Sequence, residues 1–560
     1  MTTTPTDPAT ASFTLAELGD QMLELFCERD PFRAEGFGFP GVAERLTPRD
    51  DDSRLRHVDR YRQLSDRATA LPADRLDEQE RLTRLTLIEQ ATSAAEYLAA
   101  DPYPVTVNLS REFSASGVVR SLTKSKITTA DQADAYLARL HALPEFLRTD
   151  LELRRRGIAE SRPGLDSSLR SEVAELEARL ATDPGQDQLA TLTVTGDWDQ
   201  ATWRSKVLAT VRDVVHPAVR ELVAGLQAQV LAQARPDERA GLCWVAGGEE
   251  LYRACIREET SLPGDPQQLH ALALRMWEAA AERMRPLGRQ LFGTEELATV
   301  LDRLRTDTAL AYGSAEQVLA AARTEMEQLM AQCDRWFGIA PLTDCLVEEM
   351  PAATALRYPS GQYKSGTLDG TRPGRFLINT TQPRYRHEVP AMLRGGGVPG
   401  THVYWNYAMR ATIPTFRKVA PMHGFVKGWC GYALDLGSEF AVEVDALGEL
   451  GLWAKRAANA SRLAVDTGVH ALGWSRDQAI RYRLDTCGTS ERDAVVDVDR
   501  ILGIPGEGGV WCVGGEQIRR CREASMARAG GGWDARRFHD ALLAGGAVPL
   551  AALAEITARA

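Results

Sequence analysis

From Thr14 onward the apolar positions recur three and four residues apart, the spacing of an amphipathic helix. LAELGDQMLELFCERD and RLDEQERLTRLTLIEQATSAAEYLAA follow it closely, and SSLRSEVAELEARLATD adds a charged solvent face. WRSKVLATVRDVVHPAVRELVAGLQAQVLAQA predicts a long helix interrupted at Pro217, because proline has no N–H to donate and crowds the preceding turn. Asp265 followed by Pro266 predicts a helix start, with a capping carboxylate and a first-turn proline. A further helix is expected over about residues 315–333. At Pro341 the texture changes. LVEEMPAATALRYPSGQYKSGTLDGTRPGRFLINTT alternates and is broken by Pro and Gly. This predicts short strands with turns at Tyr358-Pro-Ser-Gly and Leu368-Asp-Gly-Thr-Arg-Pro-Gly. Helices return after Gly448, where Ser475 and Asp477 start the one that carries Gln478 to Leu484. The expected fold is mainly α with a small antiparallel β-sheet near residues 345–380. The expected organisation is a disordered tail over 1–12, a helical body over 13–340 and a core region over 341–560, the last two forming one compact unit.

Composition narrows the function. Of 560 residues, 44% are hydrophobic and 26% charged, as in an ordinary globular protein. A net charge of −11, with no clustered cations, excludes nucleic acid as the main partner. No apolar run of about eighteen residues predicts a membrane span, and the polar N-terminus has no secretory signal pattern. Nine cysteines without a CxxC pair point to reduced thiols and a cytoplasmic setting. Seven of the 66 cations are lysine, so a lysine inside a motif stands out.

The densest chemistry lies in LRGGGVPGTHVYWNYAMRATIPTFRKVAPMHGFVKGWCGY, from Leu393 to Tyr432. Together with GEELYRACIREET, DGTRPGRFLIN, RLAVDTGVHALGWSRDQAI, GIPGEGGVWCVGG and RFHDALLAGGAVPL, in that order, this stretch resembles the bacterial family known as domain of unknown function 885. The resemblance covers roughly residues 240–555 well and implies a mainly helical, zinc metallopeptidase-like fold. It also implies a metal motif H-E-x-x-P-G-H, followed by E-G-W-x-x-Y. Two His and a later carboxylate hold zinc with one open position, and the Glu beside the first His activates water. Laid on this chain, the first His position is Gly395, the base is Gly396, the second His is Thr401 and the later carboxylate is Lys427. The frame of Val398, Pro399, Gly400, His402, Gly428, Trp429 and Tyr432 is kept. No metal and no cofactor are therefore expected.

An ammonium in a shielded pocket binds anions, or acts as a base or Schiff-base amine if burial lowers its pKa. The expected catalytic residues are Lys427, Tyr432 and His402. Tyr432 is kept from the family's frame, and its hydroxyl either stabilises an oxyanion or belongs to a core aromatic with its hydrogen bond satisfied. The expected substrate contacts are Arg417, Arg462, Asp466, His470, Thr401, Gly395, Gly396, Gly397, Trp511 and Cys512. Arg462, Asp466 and His470 lie on one helix face, where they either pair internally or meet a substrate carboxylate. Trp511 and Cys512 replace the Tyr and Lys of the family's Gly-rich turn. The favoured reading is a metal-independent enzyme acting on a small carboxylate- or amide-bearing molecule. The alternatives are a non-catalytic relative that binds a small ligand or partner, and a zinc hydrolase with relocated ligands.

Overall fold

A computed structural model of the chain describes residues 14–105, 114–340, 342–355, 358, 360–367, 371–436, 439 and 443–558. The expected tail over 1–12, Pro359 of the first expected turn and Leu368–Gly370 of the second lie outside these residues.

Helices dominate, and their ends follow the local chemistry. Leu15–Arg29 starts with a reciprocal cap between Thr14 and Glu17. Asp265 accepts the Gln268 N–H at 2.9 Å and opens Pro266–Phe292, which stops at Gly293 with φ +73. Ser475 and Gln478 cap each other ahead of Arg476–Thr486. The helix interrupted by Pro217 instead widens by π-type turns at Val211–Val215 and Leu226–Val230 and stays continuous with His216–Gly225. A wider turn accommodates the missing N–H without a break.

Three strands form one sheet: β1 (Cys345–Glu349), β2 (Gly361–Lys364) and β3 (Gly374–Ile378), in the order β1-β3-β2. It is mixed rather than wholly antiparallel: β3 runs antiparallel to β2 and parallel to β1. The helix Ala352–Ala355 lies in the crossover that makes the parallel pair possible.

Packing ignores the change of texture at 341. Pro266–Phe292 lies along Ala446–His470, and the largest apolar cluster joins Met326 and Phe337 to Phe376, Trp429, Tyr432 and Phe538. A second cluster sits among the helices between residues 115 and 231, and a third among those of residues 18–98. Among the described residues no helix is long and apolar enough to cross a membrane.

Candidate functional site

Glycines 395 and 396 close the helix Glu388–Gly396, and Gly397 caps it, so the triplet is a helix end rather than a loop. The chain re-enters a helix at Thr401–Arg410. The Thr401 hydroxyl lies 3.4 Å from the Gly395 carbonyl and 3.1 Å from the Cys430 thiol. Cys430 sits one turn beyond Lys427 on His423–Asp435. These side chains fill the space between the positions at which the family resemblance places metal ligands. At Gly396 a Cβ would come within 2.4 Å of the Phe376 ring, and at Gly397 within 2.6 Å of Met326. At Gly395 the nearest atom, on Leu434, would be 3.5 Å away. A hydroxyl, a thiol and an ammonium do not make a zinc site, and among the described residues no three His, Cys, Asp or Glu gather to hold a metal. The residues do not fit the ion.

Phe376 is buried, so adding even a methyl at Gly396 overpacks the contact. Gly396→Ala is expected to cost about 1–3 kcal/mol of stability, the range for an inserted methylene group that forces neighbours to move. Urea denaturation at neutral pH measures it, and an unchanged midpoint would mean the ring yields freely.

Lys427 is half-buried and points over the Trp511 ring at 5.6 Å. Arg462 packs near the same indole, its guanidinium carbon 5.1 Å from the ring centroid. Arg462 donates to Asp497 at 2.8 Å, but its Nε and Nη2 are buried with no hydrogen-bond partner, and Glu507 is 4.0 Å from Nη2. Glu507 is held by Arg500, and Asp497 is shared with Arg483 at 2.6 Å. Seven residues before Arg462, on the same helix face, stands Lys455. Its side chain reaches solvent, yet desolvation, with Arg462 and Arg483, pushes its pKa below the ordinary lysine value, against the pull of Asp497. Among the described residues neither lysine forms an ion pair. The result is a row, Lys427–Trp511–Arg462–Lys455, in which cations outnumber the carboxylates available to them.

The remaining expected site residues face elsewhere. Tyr432 is fully buried, and its hydroxyl donates to His539 Nε2 at 3.0 Å inside the Phe337–Trp429–His539 ring cluster. Burial pushes its pKa up. His402 is also fully buried. Its Nε2 donates to the Thr343 carbonyl at 2.7 Å and its Nδ1 accepts the Tyr363 hydroxyl at 2.9 Å. Tyr363 lines an outer pocket of about 380 Å³ with Asp344, Arg372 and Trp405. Arg417 is buried on the Thr83 hydroxyl and the Gly545 carbonyl, and desolvation lowers its pKa to about 10. Asp466 accepts the Tyr252 hydroxyl at 2.6 Å and the Gly506 and Gly508 N–H groups. Its pKa rises to about 6 through burial. His470 bridges the Leu242 N–H and the Ile501 carbonyl. Burial raises the Cys512 thiol to about 12, leaving it protonated and a poor nucleophile at neutral pH.

Thus the side chains of the expected catalytic pair Tyr432 and His402 are buried in contacts of their own, and Arg417, Asp466 and His470 tie helices together. Lys427, Arg462 and Trp511 do meet. Lys455 was missed by the motif reading. Its rarity as a lysine, at helical spacing from Arg462, was the available signal.

A family model described as "Bacterial protein of unknown function (DUF885)" matches residues 31–556. Among solved structures, the "putative lipoprotein from Colwellia psychrerythraea" superposes with a TM-score of 0.88 at 22% identity, covering 97% of this chain and 98% of its own. A "putative lipoprotein of unknown function from Shewanella oneidensis" superposes with a TM-score of 0.75 at 15% identity, covering 98% and 100%. At these identities the likeness is one of fold. No curated protein matches the chain.

Proposed function

The chain belongs to the bacterial family of unknown function DUF885, which brings no activity with it, and on that premise we propose that it binds a small carboxylate-bearing molecule along Lys427, Trp511, Arg462 and Lys455 and acts on it without a metal ion. The observation that carries this reading is Arg462, whose buried Nε and Nη2 have no hydrogen-bond partner among the described residues, Nη2 having only Glu507 at 4.0 Å, beside two lysines that form no ion pair among those residues. Unmet buried donors are costly, and a carboxylate satisfies a guanidinium edge in two parallel bonds. The lowered pKa of Lys455 adds an amine that gives up its proton more readily than an ordinary lysine, as acid–base work requires. In this reading the metallopeptidase-like scaffold has exchanged a metal site for a cationic one.

Calorimetric titration with succinate tests it. Binding is expected to weaken about tenfold, roughly 1.4 kcal/mol, in Arg462→Gln, and less in Lys427→Met, which keeps the stem on Trp511. Added salt is expected to weaken it further. As pH rises Lys455 loses its charge at a lower pH than a free lysine, so affinity should begin to fall below pH 10.5. Equal binding by wild type and Arg462→Gln would overturn the anion site. Elemental analysis of protein purified without a metal-affinity tag is expected to show no stoichiometric zinc, and one zinc per chain would overturn metal independence.

The enclosure of Tyr432 and His402 favours a second reading, a non-catalytic relative that binds the same anion. A relocated zinc site finds no donor cluster among the described residues. Location belongs to the same proposal. All nine cysteines are free thiols, which suits the cytoplasm, whereas the two structural neighbours bear the name lipoprotein, and cell fractionation decides between these.

A further inference from the structure

The helix that carries Lys427 begins one turn earlier with His423, a residue the anion row does not use. Its Nδ1 lies 3.0 Å from Oε2 of Glu259. A carboxylate can only accept, so Nδ1 carries the proton and donates, and Nε2 keeps its lone pair. Glu259 is buried, while the His423 side chain is 37% exposed. Among the described residues nothing hydrogen-bonds to Nε2. An imidazole held by a buried carboxylate, with an open Nε2, is the arrangement of a general base: the carboxylate fixes the tautomer and stabilises the imidazolium that forms.

This ring lines a cavity of about 200 Å³ between the N-terminal helices and the core. Its walls include Phe26, Tyr61, Tyr97, Tyr103, Met422 and Ile504. The charges on the wall are engaged. Arg29 pairs with Glu258 at 3.2 Å and lies over Tyr97, and Glu258 also accepts the Ser93 hydroxyl at 2.8 Å. The wall therefore supplies aromatic surface and the open imidazole nitrogen. An added full charge would compete with pairs already made, whereas an uncharged ring gains apolar contact.

We infer that His423, positioned by Glu259, is the proton acceptor for a water or hydroxyl beside an uncharged, ring-bearing amide seated in this cavity. In the reaction the O–H bond breaks, Nε2–H forms and the oxygen adds to the amide carbonyl carbon as its C=O π pair moves to oxygen; when the adduct collapses the C–N bond breaks and Nε2 returns its proton to the leaving nitrogen, Glu259 staying ionised throughout. Lys427 does not line the cavity and follows His423 on the same helix by four residues, roughly 5–6 Å at Cβ, so a molecule with its amide at His423 meets Lys427 only by extending a carboxylate beyond the cavity. The substrate class is then an aromatic acyl derivative of an amino acid. This last step rests on the anion reading, and the cavity and its base do not.

Diethyl pyrocarbonate modification of the full chain, mapped by mass spectrometry at neutral pH, tests both. His423 is expected to react at least about tenfold faster than His470 and His539, which wait for local opening. Benzamide, which has ring and amide but no carboxylate, should protect it, and N-benzoylglycine should protect at lower concentration. Tyr97→Ala should abolish protection by both while leaving the reactivity. Nitrogen-15 NMR should show the Nδ1–H tautomer of His423 and its loss in Glu259→Leu, a signature that a merely packed histidine would not change. Reactivity no higher than that of the buried histidines, or no protection by benzamide, overturns the inference. If benzamide protects and N-benzoylglycine does no better, the anion row fails and the base stands. If only N-benzoylglycine protects, and Arg462→Gln removes that protection, the row stands and the cavity inference fails.

Discussion

Gly514→Val is expected to remove about 3–5 kcal/mol of stability and to abolish anion binding with it. A Cβ at Gly514 would lie 2.1 Å from the Gly424 carbonyl oxygen and 2.7 Å from the Gly428 Cα. From the facing helix, a Cβ at Gly428 would lie 2.5 Å from the Gly514 Cα, and one at Gly431 2.4 Å from the Trp511 carbonyl oxygen. Glycines 424, 428 and 431 share one face of His423–Asp435, and Val510–Ala529 crosses there backbone to backbone. Overpacking costs about 1–3 kcal/mol when side chains yield, and more when they cannot. Here backbone must move, and Trp429, Cys512 and Val513 lose their packing as the helices part. Set against a typical stability of roughly 5–15 kcal/mol, the loss is large. Lys427 and Trp511 sit on these two helices, so their separation also opens the cation row. Urea denaturation and succinate titration check the two effects. Gly531→Val is the control, since a Cβ there meets nothing within 4 Å.

Mild acid is expected to destabilise the protein through two buried neutral histidines. His539 donates from Nδ1 to the Trp336 carbonyl and accepts the Tyr432 hydroxyl at Nε2. His470 accepts the Leu242 N–H and donates to the Ile501 carbonyl. Burial pushes both down to about 3, from 6.5 in an open chain. Above pH 6.5 neither state binds these protons, and the full stability is present. Below it the unfolded chain takes up two protons that the native state refuses, so stability falls with falling pH by about 1.4 kcal/mol per pH unit for each histidine. Asp466 opposes this. Its pKa, raised to about 6 by burial, means that the native state holds an extra proton between about pH 6 and 3.8. These three groups together contribute a loss of about 1.4 kcal/mol per pH unit between pH 6 and 4, or roughly 3 kcal/mol in all, and Glu172, raised to about 7 by burial, opposes it down to about pH 4.5. Urea titrations at unit intervals from pH 7 to 4 measure the slope. His539→Gln is expected to make the slope less steep by about 1.4 kcal/mol per pH unit, and an unchanged slope in that variant would assign the acid sensitivity to other groups.

The helical architecture was legible in the chain because its causes are local. Asp265 and Ser475 cap their helices where short polar side chains can reach an unpaired N–H, and the spacing of apolar residues marks the buried faces. The absence of zinc donors at Gly395, Gly396, Thr401 and Lys427 is likewise a matter of residue identity. The mixed pairing of β1, β2 and β3 was not legible, because strand direction depends on how the crossover through Ala352–Ala355 is routed. Nor was the direction taken by each polar side chain. Arg462, Asp466 and His470 share a helix face, yet Arg462 reaches Trp511 while Asp466 and His470 turn to Gly508 and Leu242.

Residue type and spacing established a mainly helical chain, ordered motifs carried its resemblance to DUF885, and the same motifs singled out Lys427 and Arg462. Which groups meet one another was settled by contacts between distant segments. Gly428 against Gly514 brings Lys427 and Trp511 together, Tyr252 holds Asp466 inside, and Glu259 aims His423 at a cavity. Periodicity assigns a face to each helix, but the neighbour that meets that face is chosen by long-range packing. That choice separates the buried Tyr432 and His402 from the accessible Lys455 and His423.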